Sequence, residues 1–247
     1  MKVSKKRSQG GFTLVEMSVV LLVIGLIIGA VSIGKDMQRN AEYVKIKQKF
    51  VDQWVNAYNS HYVKAGVVIG DRQVAPQMMV NGATYTPASG GDMSAVTGPQ
   101  EICQVGTGAT LTLHQEMHRH GVRMPPGRAE GSEDRYVYLD SNGNPQEIKI
   151  CFRWNSPDTA SGSGNVMVIY GLTPDLARAL DQMVDGKPDA REGAFRQVGV
   201  VSSVGDTRTP GIEWDADNRD EYSRTTENAN RDEQQIAVVT AHYKMNQ

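Results

Sequence analysis

The chain has 247 residues, with 26 basic and 28 acidic residues and a formal net charge of −2 at pH 7. This length allows one or two domains. A mildly acidic chain without a local basic patch is a poor general binder of nucleic acid, so we expect no nucleic-acid partner.

The first feature along the chain is an apolar run, residues 12–33, in which the only charged residue is Glu16. At about 1.5 Å per residue this run makes a helix of roughly 33 Å, which is long enough to cross a bilayer. Lys35 follows the run, and four basic residues precede it, namely Lys2, Lys5, Lys6 and Arg7. The positive-inside rule therefore places the N-terminus in the cytoplasm and the bulk of the chain outside.

A secretory signal peptide would have a shorter apolar core that ends in small residues such as Ala-x-Ala. Residues 31–35 read Val-Ser-Ile-Gly-Lys and contain no such site. Gly10 and Gly11 instead precede the apolar run. This arrangement indicates a cut between the leader and the helix, with the helix retained.

The stretch Gly11-Phe12-Thr13-Leu14-Val15-Glu16, with its basic leader and unbroken apolar helix, resembles the N-terminus of the type IV prepilin family. The resemblance implies that a membrane-embedded prepilin peptidase cuts after Gly11 and methylates the new N-terminus at Phe12. It also implies that Glu16 is the helix carboxylate used in assembly. Gly25 matches the family pattern, whereas the helix-bending proline of many major pilins is missing, which argues against a major subunit.

Glu16 is costly inside a membrane, because a carboxylate in hydrocarbon costs roughly 2.5 to 3.5 kcal/mol at the centre and less near an end. Two interpretations remain open from the residues alone. Glu16, one turn into the helix, can reach the lipid headgroups, or it can pair with the amine that cleavage creates at Phe12, in its own chain or in a neighbour. The family resemblance favours the second.

The cysteines predict a disulfide. Cys103 and Cys151 are the only two in the chain, and both lie on the oxidising side of the membrane. Closing a loop of about 49 residues would stabilise the fold by roughly 4 kcal/mol. Loss of residues 1–11 would leave 22 basic and 28 acidic residues, a mature charge near −6.

The helix is expected to continue to about Lys64 and to stop at Gly66. Its soluble half carries a predicted apolar stripe, flanked by Trp54, that packs on a sheet; the stripe consists of Met37, Ala41, Val44, Val51, Val55, Tyr58 and Tyr62. Residues 66–109 are rich in Gly, Pro, Ser and Thr and predict loops with one short strand at most.

The remaining elements follow from local patterns. Residues 110–119 predict a short helix that ends at Gly121, and residues 136–139 and 148–154 predict a hairpin around Asn142-Gly143. Further predictions are a strand at 165–171, a helix opened by Thr173-Pro174-Asp175 and ended at Gly186, strands at 197–203 and 235–243, and a solvated acidic loop at 205–233.

A second, looser resemblance covers residues 172–200. Asp185-Gly186-Lys187-Pro188, with Gly193 and Arg196 after it, is similar to a helix-to-turn element in the globular domains of many minor pilins and pilin-like proteins. Val184 stands where a second aspartate is frequent in that element, so the match supports the first resemblance without adding to it.

Three patterns contain residues of the types that bind metal ions. His114, His118 and His120 with Glu116 form the densest set of possible metal ligands, but they lack the His-Glu-x-x-His spacing and a named third ligand. Asp140-x-Asn142-x-Asn144 and Asp215-x-Asp217 copy parts of a calcium loop without its central Gly or its twelfth-position Glu. We therefore expect the histidine set to lie on a solvated polar helix, the Asp140 pattern to form a turn and the Asp215 pattern to lie in a flexible loop. We expect no catalytic residue, metal centre or cofactor.

The sequence thus predicts an α+β, pilin-like fold in which a long N-terminal helix packs on an antiparallel sheet with irregular loops. Its predicted parts are a leader (1–11), a membrane or fibre-core helix (12–34), an amphipathic continuation (35–65) and an extracytoplasmic globular domain (66–247). The expected protein is not an enzyme.

The resemblance implies a subunit of a type IV pilus, minor or specialised, and the main alternative is a pseudopilin of a type II secretion system. An uncleaved membrane-anchored enzyme or metal-binding domain is a third reading, and loops 66–109 and 205–233 are candidate adhesive surfaces. Implied partners are prepilin peptidase, other pilin subunits, the inner-membrane assembly platform and, before assembly, membrane lipid. The precursor would span the inner membrane once and then enter a surface pilus or a periplasmic pseudopilus.

Overall fold

A computed structural model describes residues 11–81, 101–104, 112–157, 159–200, 213–214 and 238–245. The chain divides into two compact units, Met1–Glu42 and Tyr43–Gln247. Each unit is described below by itself.

The first unit contains most of helix α1 (Leu14–Ile46). Every residue from Gly11 to Gln38 is exposed, including the apolar run. In the part of the chain that the structure describes, one helix, Leu14–Ala65, is long and apolar enough to cross a membrane. The apolar segment therefore has no core of its own in the single chain.

In the second unit, α1 continues through a π-helical turn (Lys47–Val51) into helix α2 (Asp52–Ala65). Gly66 ends α2 in a left-handed conformation (φ 75°), and its N–H donates to the Tyr62 carbonyl at 2.8 Å, as predicted for the stop. The π-turn was not predicted. It places one residue more in a turn than an α-helix does.

The predicted apolar stripe of this helix is wrong in part. Met37, Ala41 and Val44 are exposed, whereas Val51 and Tyr58 are buried as expected. The buried stripe lies on a neighbouring face and consists of Tyr43, Ile46, Phe50, Trp54, Ala57, His61 and Ala65. The bulkier side chains decide which face is buried, because burying Trp, Phe and Ile removes more apolar surface from water than burying Val and Met.

The sheet in the described part of the chain has five antiparallel strands in the order β1-β2-β3-β5-β4. The strands are β1 (Arg135–Leu139), β2 (Pro145–Asn155), β3 (Gly164–Leu172), β4 (Phe195–Gln197) and β5 (Val239–Lys244). The predicted hairpin is confirmed, with Tyr136 opposite Ile148 and Gly143 at φ 86° in the turn. The predicted strand at 165–171 is confirmed as β3.

Two predicted strands differ from the structure in extent. The strand expected at 197–203 is β4, which ends at Gln197, although the Val198 N–H still donates to the Thr240 carbonyl at 2.9 Å. Residues 201–203 lie outside the described residues. The strand expected at 235–243 is β5, which begins at Val239 in the described part and continues to Lys244.

Two short helices accompany the sheet, one before β1 and one between β3 and β4, and both were predicted. Helix α3 (Leu113–Arg119) begins after Thr112, whose side chain and that of Gln115 form a reciprocal capping box. Helix α4 (Pro174–Asp185) follows Thr173. The Thr173 side chain makes no capping bond, contrary to the prediction; instead the Thr173 N–H donates to the buried Tyr138 hydroxyl at 2.9 Å.

A single large core joins the elements of the second unit. Phe152 on β2 stacks with Tyr58 at 5.2 Å between ring centroids and lies 6.1 Å from the Trp54 ring, so the long helix packs on the sheet. Cys103 and Cys151 form the predicted disulfide. Next to it, Ile102 forms an isolated antiparallel bridge with Phe152, which is the short extended piece expected within residues 66–109. The α+β prediction is confirmed.

Candidate functional site

The start of α1 holds the residues that the sequence assigned to processing and assembly. Phe12 is 81% exposed, and a Cβ built on Gly11 would have no group of the described residues within 4 Å apart from its chain neighbours. The Thr13 N–H and hydroxyl both donate to Glu16 Oε2, at 2.7 and 2.8 Å, and the Glu16 N–H donates to Thr13 Oγ1 at 3.3 Å. Glu16 is itself exposed.

This reciprocal pattern is a capping box, in which a Thr before the helix and a Glu three residues later satisfy each other's backbone N–H groups. Glu16 therefore has a local role in starting α1. This role was not predicted, although Thr13-Leu14-Val15-Glu16 carries the Ser/Thr-x-x-Glu signature. Glu16 Oε2 is occupied inside the chain, so a partner in another chain would approach the exposed remainder of the carboxylate.

Residues 6–32 match the family model of the prokaryotic N-terminal methylation motif. The chain has a type IV prepilin-like N-terminus. The prepilin motif implies processing by prepilin peptidase and assembly with other pilins, and the apolar helix marks a membrane-anchored protein. Comparison with curated proteins and with solved structures gave no match.

The helix-to-turn element that resembles minor pilins has a clear physical basis in this prepilin-like chain. Asp185 Oδ2 accepts hydrogen bonds from the N–H groups of Ala194 and Phe195, both at 2.9 Å. Gly193 adopts φ +82°, and a Cβ built on it would lie 2.2 Å from the same oxygen. The aspartate thus joins the end of α4 to the start of β4, and only a glycine leaves it room.

A buried tryptophan completes this region. Trp214 Nε1 donates to Asp181 Oδ2 at 2.8 Å, and both side chains are fully buried. Burial raises the pKa of Asp181 to about 7, and the hydrogen bond from Trp214 opposes that rise. Residues 205–212 and 215–233 of the predicted acidic loop lie outside the described residues, so Trp214 is the part of this loop region that is seen in the core.

The histidine-rich helix α3 separates into two groups. His114 and His118 share a face as predicted, with ring centroids 4.3 Å apart. Glu116 points elsewhere and meets His120 of its own helix turn and His61 of α2. The contact with His61 was not predicted, because no local pattern indicates that two residues 55 positions apart will pack together.

The two calcium-like patterns have different outcomes. Asp140 Oδ1 accepts from the N–H groups of Asn142 and Asn144 at 2.9 and 2.8 Å, and Oδ2 accepts from the Gln146 amide at 3.1 Å. This carboxylate is therefore used within the hairpin turn, as the turn interpretation predicted. Asp215 and Asp217 lie outside the described residues.

A buried polar group on the sheet was not predicted. His242 Nδ1 lies 3.0 Å from the Asn155 amide nitrogen and 2.9 Å from the Ser161 hydroxyl. Burial lowers the pKa of His242 to about 4, with a smaller contribution from Arg153. An imidazole that accepts a hydrogen bond from an amide at Nδ1 is neutral. The His242 side chain on β5 therefore connects Asn155 at the end of β2 with Ser161 in the turn between β2 and β3.

Proposed function

We propose that this chain is a structural subunit of a type IV pilus, minor or specialised, that assembles through its N-terminal helix after processing at Gly11. The observation that carries the proposal is the methylation motif at the head of a fully exposed apolar helix. Such a surface needs a cover, which is lipid in the precursor and neighbouring helices in a fibre.

Glu16 has two separable roles in this proposal. Its hydrogen bonds with Thr13 start the helix, and its charge pairs with the N-methylated amine of Phe12 in an adjacent subunit. Opposite charges attract strongly where water is excluded, so a misaligned pair inside a fibre would cost several kcal/mol. This cost would set the axial register between neighbouring helices.

The first test is the mature N-terminus of the protein purified from membranes or filaments. Mass spectrometry should find N-methylated Phe12 as the first residue, and Gly11→Ala should leave the leader attached. An intact Met1 on wild-type protein in a host with active prepilin peptidase would contradict the proposal and favour the uncleaved anchor.

The second test separates the two roles of Glu16 with a matched pair. Glu16→Gln keeps a capping side chain, since Gln also serves at this position, but it removes the charge. Thr13→Ala removes the cap at a cost of about 1 kcal/mol and keeps the charge. We expect Glu16→Gln to be processed and inserted normally but depleted from filaments, and Thr13→Ala to be incorporated nearly as well as wild type. Equal incorporation of Glu16→Gln and wild type would refute charge pairing.

A pseudopilin of a type II secretion system is the rival function, because it shares the motif and Glu16. Quantifying the chain in sheared surface filaments distinguishes the two: a pilin is recovered there at a fixed ratio to other pilins, whereas a pseudopilin remains in the periplasm. Non-enzymatic function is part of the same proposal. Adhesion through loops 66–109 or 205–233 would appear as lost attachment with intact filaments after deletion of either loop.

A further inference from the structure

A buried cluster of three potential metal ligands joins α2 to the helix α3 region. Glu116 Oε1 lies 3.2 Å from His120 Nε2 and 3.7 Å from His61 Nε2. The three ligand atoms all lie within 4.8 Å of one another. The side chains of His61 and Glu116 are 0% and 3% exposed, and that of His120 is 14% exposed.

These separations are close to those of a coordinated ion. Ligands at about 2.0 to 2.1 Å from a tetrahedral Zn²⁺ are roughly 3.3 Å from one another. Two of the observed separations, 3.2 and 3.7 Å, are near that value. The third, between His61 and His120, is within 4.8 Å, so side-chain rotation must close a gap of at most about 1.5 Å. Two imidazoles and one carboxylate are also a ligand set that zinc uses in proteins.

His61 provides an independent indication. It is fully buried, and neither ring nitrogen has a hydrogen-bond partner among the described residues. A buried polar group without a partner costs about 1 to 3 kcal/mol, so such groups are uncommon in native proteins. Nε2 faces Glu116 Oε1 at 3.7 Å, an ion-pair distance that is too long for a hydrogen bond, and coordination would give this nitrogen a direct bond to the ion.

The cluster also opens on one side. Glu116 and His120 line a cavity of about 420 Å³, together with Asp71, Arg72 and Asn81. The cavity is large enough for water and small anions to reach a bound ion. Glu116 and His120 thus border space from which a fourth ligand can approach, whereas His61 lies behind them and does not line the cavity.

We propose that His61, Glu116 and His120 bind one Zn²⁺ ion, with the fourth ligand supplied from the cavity. The ion cross-links α2 to residues 116–120, which lie within the loop closed by the Cys103–Cys151 disulfide. This site differs from the His114–His118 pair, which lies on a different face of α3 and includes no carboxylate. The inference depends only on the second unit of the chain and stands apart from the pilus proposal.

The test is a titration of untagged full-length protein, purified in non-ionic detergent and stripped with a chelator, using Zn²⁺ alone. We expect one Zn²⁺ per chain by calorimetry and a rise in the unfolding temperature, because an ion that binds the folded state stabilises it. Co²⁺ in place of Zn²⁺ should give the strong visible absorption of a tetrahedral site.

Two histidine variants on one helix give the matched comparison. His120→Gln should weaken Zn²⁺ binding at least about tenfold, since loss of an outer-shell partner alone typically costs 10 to 100-fold. His118→Gln, at an exposed residue outside the cluster, should change it less than about twofold. Circular dichroism should show both variants folded without metal.

Three results would overturn the proposal. They are no Zn²⁺ binding by the stripped wild-type protein, unchanged binding by His120→Gln, and a loss in His118→Gln as large as in His120→Gln. The first result would mean that the cluster is an ion-paired histidine group without a metal. The last would place the metal on the surface pair.

Discussion

Gly193→Ala should destabilise the second unit far more than Gly186→Ala, although both glycines have nearly the same backbone conformation. Their φ angles are +82° and +79°. An alanine in that region costs about 1 to 2 kcal/mol by itself. Nothing lies within 4 Å of a Cβ on Gly186, whereas a Cβ on Gly193 would lie 2.2 Å from Asp185 Oδ2. The Gly193 variant must therefore also displace the aspartate.

The additional cost follows from what the aspartate does. Its Oδ2 accepts from two backbone N–H groups, at 2.9 Å each. A hydrogen bond to a charged group contributes about 1.5 to 3 kcal/mol, and part of this is recovered if water replaces the carboxylate. We therefore expect a loss of about 4 kcal/mol in the free energy of unfolding for Gly193→Ala, against about 1.5 kcal/mol for Gly186→Ala.

The assay is urea unfolding of the full chain in detergent, followed by tryptophan fluorescence. Asp185→Ala completes a double-mutant cycle: because its carboxylate is already absent, adding Gly193→Ala should cost about 2 kcal/mol less than it does in wild type. Equal losses for the two glycine variants, or strict additivity in the cycle, would refute the reasoning that residue 193 must be glycine because the Asp185 carboxylate occupies the space of a Cβ.

Three further predictions concern buried groups and can be checked with the same unfolding assay. Asp181→Asn should stabilise the protein by about 4 kcal/mol at pH 8. The folded state raises the pKa of Asp181 to about 7, so the wild-type protein loses stability as the pH rises above the ordinary pKa of an aspartate. At pH 4 the gain should nearly vanish, and a gain that persists there would exclude ionisation as its cause. The free energy of unfolding of the wild-type protein should fall by about 3 kcal/mol between pH 6.5 and pH 4, because His242 has a pKa of about 4 in the folded state and therefore gains a proton more readily when unfolded. His242→Gln should remove this part of the pH dependence. Replacing both Cys103 and Cys151 by Ser should cost about 3 to 4 kcal/mol, and an unchanged urea midpoint would contradict the chain-entropy estimate.

The elements that could be predicted from sequence are those set by local chemistry. The hairpin at Asn142-Gly143, the stop at Gly66 and the proline-led start of α4 each depend on a few adjacent residues, and each is found in the structure. The disulfide was predictable because only two cysteines exist, so no pairing choice was needed.

The features that escaped prediction depend on contacts between distant segments. Trp54 and Phe50 meet aromatic residues of the sheet, and those contacts select the buried face of the helix in preference to the face with Val44. His61 joins Glu116 only once α2 and α3 are packed together. The capping box of Thr13 and Glu16 is different, because its Ser/Thr-x-x-Glu signature is local and can be recognised in the sequence without any distant contact.

The order of the strands places the two shortest described strands at the borders of the sheet. At one border of the sheet stands β4, which has three residues, and at the other stands β1, which has five. Short edge strands expose few unpaired backbone N–H and C=O groups to another chain. This limits the addition of a strand from a second molecule and hence limits aggregation. Among the described residues, the sheet therefore offers little free edge at which two copies of the globular part could pair.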